Sequence, residues 1–70
     1  MKRKSIQPRL GKRIAAARKR ANITQREAAK RAGITAVYLC WVEKGKYTPG
    51  IRRVEKLAEV LGVKVAELFA

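Results

Sequence analysis

Residues 24–45, Thr24-Gln-Arg-Glu27-Ala-Ala-Lys-Arg-Ala-Gly33-Ile-Thr35-Ala-Val-Tyr-Leu-Cys-Trp-Val-Glu43-Lys-Gly45, hold two short helices with hardly any chain between them. Thr24 followed three residues later by Glu27 has the form of a capping box. In that arrangement the hydroxyl takes the third helical N–H and the carboxylate reaches back to the threonine N–H. Ala28, Ala29 and Ala32 then fall on one face at helical spacing, and Gly33 suits a left-handed C-terminal cap. Thr35 caps the next helix, with Leu39 and Val42 inward and Gly45 ending it after Lys44. Helices can cross this closely only where side chains are small, and Ala29 sits four residues before Gly33, where the crossing should fall. Ile34 plugs beneath the turn. The combination describes a helix-turn-helix, whose second helix is shaped to enter a DNA major groove. Small-residue helical hairpins also occur as plain structural elements, so the surroundings must decide.

Outward from this pair the chain remains helical. Met1 to Ile6 reads as a flexible basic arm and residues 7–70 as one domain. Pro8 suits the first turn of a helix, and Leu10, Ile14, Ala17 and Ala21 recur at spacings of four, three and four. Asn22 should end that helix. Tyr47-Thr48-Pro49-Gly50 is a loop, followed by a helix with Ile51, Val54, Leu57, Ala58 and Leu61 inward and Gly62 at its end. Val63 to Phe69 carries Val65, Leu68 and Phe69 in a short last helix. The fold expected is all-α, a compact five-helix domain.

Charge supplies the surroundings. Of 70 residues, eighteen are Lys or Arg and five are Glu, with no Asp and no His, for a net charge of +13. Twelve of the cations and one acid lie in the first 31 residues. A polyanionic partner follows, with double-stranded DNA favoured over an anionic membrane surface or a merely solubilising face. A chain this short has little room for a catalytic cavity. No imidazole is present to act as base or ligand, and one cysteine cannot build a zinc site or an internal disulfide. The expectation is therefore a non-enzymatic protein with no metal and no cofactor. The free cysteine fits a reducing compartment, and no apolar run approaches the roughly 18 residues of a membrane span. A cytoplasmic protein without membrane contact is expected.

Leu10-Gly-Lys-Arg-Ile14, Arg18, Thr24-Gln-Arg-Glu27, Ala29, Gly33-Ile-Thr35, Tyr38-Leu39, Glu43-Lys-Gly-Lys46, Pro49, Leu57-Ala58, Leu61-Gly-Val63 and Glu67-Leu68 together resemble the phage-repressor and Cro-like (XRE-type) helix-turn-helix family. The resemblance runs in uninterrupted order over about residues 9–69. It implies a sequence-specific DNA-binding transcriptional regulator, a repressor acting as a homodimer through its C-terminal helices. It also implies residue roles. Gln25 would donate to a phosphate with the helix terminus behind it, and Arg18 and Glu43 would pair, with Arg18 also near a phosphate. Thr24, Arg26 and Thr35 would join that contact, and Lys44, Lys46 and Arg52 would hold phosphates at the other end. Lys2, Arg3 and Lys4, which lie ahead of the resemblance and match only in composition, would form an arm along the DNA backbone or into a groove.

The departures from the pattern carry equal weight. Ala17 and Ala28 stand where leucine is usual, and Lys64 where Ser or Thr usually opens the last helix. The base-facing positions hold Ala36, Val37, Cys40 and Trp41, none of which makes a bidentate hydrogen bond to a base. Three readings of that stripe stay open: apolar contact with thymine methyls, charge-driven binding of low selectivity, or a protein-contacting surface. An antitoxin with a toxin protein partner, or an interaction module that kept the fold, are the alternative functions.

Overall fold

The computed structural model describes residues 6–69, and those residues form five α-helices with no strand among them. They are α1 (Ile6–Arg20), α2 (Gln25–Ala32), α3 (Ala36–Glu43), α4 (Ile51–Leu61) and α5 (Val65–Phe69). Lys2, Arg3 and Lys4 lie outside the described residues. Ile6, expected in the arm, is the first residue of α1. Proline is tolerated anywhere in a first turn, so Pro8 marks that turn without marking its first residue.

Each of the first four helices closes in one way. Asn22, Gly33, Gly45 and Gly62 take φ of 60°, 74°, 82° and 71°. Beyond α2, Gly33 N donates to Lys30 O at 3.2 Å and Ile34 N to Ala29 O at 3.0 Å. This pair of bonds satisfies carbonyls that the helix leaves open, and glycine enters the left-handed region without a Cβ penalty. The starts are capped by hydroxyls at the informative pair: Thr24 Oγ1 accepts from Glu27 N at 3.1 Å, and Thr35 Oγ1 from Tyr38 N at 3.0 Å. The other half of the capping box does not form. The Glu27 carboxylate turns along the helix to accept from Arg31 Nε at 2.8 Å, because a full cation one turn on outcompetes a backbone N–H. At α5 the missing hydroxyl is replaced by Glu67, whose carboxylate accepts from Lys64 N at 3.4 Å.

The core is Leu10, Ile14 and Ala17 from α1, Ala28 and Ala29 from α2, Leu39 and Val42 from α3, Val54, Leu57, Ala58 and Leu61 from α4, and Leu68 from α5. Ala21 is exposed, since α1 ends at Arg20 and the helical phase stops there. Ile51 also stands in solvent. It opens α4, and the packed core begins one turn later at Val54. With alanine at 17, 28 and 29, the backbones come close instead of interdigitating large side chains. Gly11 shows how close: a Cβ there would lie 2.8 Å from Glu43 O and nearer still to Val42 O. Thus α1 crosses directly over the C-terminal turn of α3.

Candidate nucleic-acid interface

The α1–α3 crossing is fastened by a polar lock. Arg18 Nε donates to Glu43 Oε2 at 2.7 Å and Nη2 to Oε1 at 3.2 Å. The third guanidinium nitrogen donates to Ile23 O at 2.9 Å, in the α1–α2 connection. Gln25 Nε2 completes the set by donating to Glu43 Oε1 at 2.8 Å. Side-chain exposure is 13% for Arg18 and 7% for Glu43, so the forked pair is largely shielded. These contacts fix the start of α2 and the end of α3 against α1. Gln25 therefore comes to the surface with one amide N–H engaged and the other without a partner among the described residues. Arg18 gives three of its N–H groups to Glu43 and Ile23.

The outward side of α3 carries Val37, 65% exposed, and Trp41, 39% exposed. Ala36 and Cys40 are half-buried, with Ala36 resting on the core. The expected stripe of four is thus an edge of two large apolar side chains one turn apart. Arg26, Lys44, Lys46 and Arg52 are exposed, Lys46 beside Trp41, and none of them pairs with a carboxylate among the described residues. Thr24 and Thr35 are exposed at the two helix starts, their oxygens already accepting from the backbone. Arg31 holds the exposed Glu27 carboxyl below its ordinary range, by hydrogen bond first and by charge second.

Three residues to which the sequence assigned no part in the site, Tyr38, Tyr47 and Arg53, join this surface. Tyr47, carried back over α3 by the turn at Gly45, stacks on Tyr38 with ring centres 5.8 Å apart and meets Trp41 edge-on at 6.4 Å. Arg53 lies 5.1 Å from the Tyr38 ring centre, and Lys46 Nζ 5.4 Å from that of Trp41. Rings and cations alternate in geometries that favour attraction. The signal in the sequence was Tyr38 and Trp41 at a helical i, i+3 spacing with a third aromatic just past the turn.

Two capped helices about a left-handed glycine, the second with an exposed apolar edge, define a helix-turn-helix domain of the DNA-binding kind. The chain belongs to the helix-turn-helix domain family, which it matches over residues 9–69. It is 39% identical over 57 residues to an uncharacterised HTH-type transcriptional regulator of Archaeoglobus fulgidus, spanning 81% of this chain and 80% of that one. An immunity repressor protein of Bacillus phage phi105 is 34% identical over 59 residues, 84% of this chain and 41% of the repressor. The crystal structure of the restriction-modification controller protein C.AhdI from Aeromonas hydrophila matches with a TM-score of 0.90 at 26% identity, over 94% of this chain and 96% of that one. The resemblance to phage repressors holds, and so does the five-helix fold expected from it.

Proposed function

We infer that this protein is a DNA-binding transcriptional regulator that seats α3 in the major groove and acts as a repressor. The observation that carries the reading is the Val37–Trp41 edge, exposed on a locked α3 with Lys46 beside it. Lys44, Lys46 and Arg52 sit on the α3–α4 side as phosphate contacts, and Arg26 stands at the start of α2. At that start Gln25 keeps one amide N–H and the first backbone N–H groups, a natural anion site with Thr24 beside it. Thr35 supplies a hydroxyl at the start of α3. Arg18 holds this frame through the three N–H groups it gives to Glu43 and Ile23, and its remaining N–H groups are left for a phosphate. A phage relative named as an immunity repressor supports the sign of regulation.

A homodimer fits the same reading. Phe69 is 49% exposed and Val65 half-buried at the C-terminal end, leaving apolar surface for a twofold mate. The deciding experiment is a salt titration of duplex binding. With six to eight phosphate contacts, log K against log salt should slope at about −5 to −7. A slope shallower than about −2 would end the DNA-binding reading.

A further inference from the structure

The outward edge of α3 has an unusual chemistry for its place. Of Ala36, Val37, Cys40 and Trp41, only the indole N–H is a good donor, and a single donor cannot separate adenine from guanine, since both present N7 to the groove. What Val37 and Trp41 offer is apolar surface. Base pairs present one apolar group in the major groove, the C5 methyl of thymine. Cytosine methylated at C5 carries the same group on the same ring carbon. Side chains at i and i+4 on a helix stand about 5–6 Å apart at Cβ, which spans one to two base steps of about 3.4 Å.

The edge is also preformed. Trp41 is held on one side by the Tyr47 ring at 6.4 Å and approached by Lys46 at 5.4 Å, while Tyr47 is itself stacked on Tyr38. Tyr38 in turn is packed against the core and approached by Arg53. A tryptophan fixed in this way keeps one apolar flank aimed outward beside Val37, with little side-chain freedom left to lose on binding.

Resting on the DNA-binding reading above, we propose that the Val37–Trp41 edge reads C5-methylpyrimidines. It selects two C5 methyl groups on adjacent or next-adjacent base pairs, and 5-methylcytosine serves as well as thymine. Selectivity then comes from methyl burial, and the surrounding cations supply affinity without sequence information. The protein's target preference becomes sensitive to cytosine methylation, a property that a side chain bonding to cytosine N4 would not confer.

The test begins with duplexes selected by the full chain from a random pool. Deoxyuridine is then substituted for thymine at each selected position, removing only the methyl. Binding should fall about fourfold per methyl read, and about 15-fold for two. Placing a 5-methylcytosine–guanine pair there should bind about fourfold better than unmethylated cytosine. Val37→Ala and Trp41→Ala, each checked for helical content by circular dichroism, should bring the thymine-to-uracil ratio towards one. Equal binding of the uracil duplex, or a ratio unchanged in both variants, overturns methyl reading while DNA binding stands. A pool that returns no preferred sequence also overturns it. If no duplex is bound with the salt dependence given above, the DNA-binding reading itself has failed.

Discussion

Arg18 and Glu43, 25 positions apart, meet as a forked ion pair in which both carboxylate oxygens accept from one guanidinium, at 2.7 and 3.2 Å. The pair spans the crossing of α1 over the end of α3, and it is extended by Ile23 O on the guanidinium and the Gln25 amide on the carboxylate. It therefore sets where the helix-turn-helix stands relative to the rest of the domain. Removing one partner leaves a shielded charge without its counter-ion, at a cost of about 1–3 kcal/mol. A double-mutant cycle with Arg18→Ala and Glu43→Ala should show a coupling above about 0.5 kcal/mol. Additive losses in urea unfolding would mean that the pair contributes nothing as a pair.

Gly11 gives a second expectation. In an unobstructed helix Gly→Ala stabilises by about 1 kcal/mol. Here the new methyl meets the carbonyls of Val42 and Glu43, which are backbone and cannot swing aside. Gly11→Ala should lower stability by about 1–3 kcal/mol instead. For a domain of this size that is a fall in Tm of several degrees at least, on the order of 4–8 °C per kcal/mol. An unchanged or raised Tm would show that α1 and α3 are further apart than described.

Tyr47 tests whether the aromatic ladder holds Trp41. Tyr47→Ala removes the edge-on contact and the stack on Tyr38, worth about 0.5–1.5 kcal/mol each. The emission of Trp41, the only tryptophan, should shift to the red and its anisotropy fall as the ring gains freedom. The salt slope of DNA binding should stay the same, because no phosphate contact is lost. An unaltered emission spectrum would separate Tyr47 from the reading edge.

The C-terminal surface gives the last expectation. Sedimentation at micromolar concentration should show a dimer, and Phe69→Glu should yield a folded monomer. The dimer should bind duplexes with two half-sites about 10 base pairs apart more tightly than single half-sites. A wild-type chain that stays monomeric at high concentration, binding one per operator, would remove dimerisation from the proposed function.

The sequence by itself determined the helices and their ends. Thr24 and Thr35 are caps, Gly33, Gly45 and Gly62 are left-handed stops, and the spacing of Leu10, Ile14 and Ala17 picks out the buried face of α1. Such signals act within a turn or two of backbone, so they can be read in one dimension. The resemblance to phage repressors added the Arg18–Glu43 pairing, which no local signal contains. Only the tertiary structure decided the rest. Glu27 turned to Arg31 and not to Thr24, Gln25 spent an N–H on Glu43, and Ile51 projected beyond the core that its phase promised. The turn at Gly45 laid Tyr47 between Tyr38 and Trp41. Each of these outcomes depends on how far apart two helices cross and where a loop returns. Those distances are set by alanine-lined backbones meeting across the core, and no window along the chain records them.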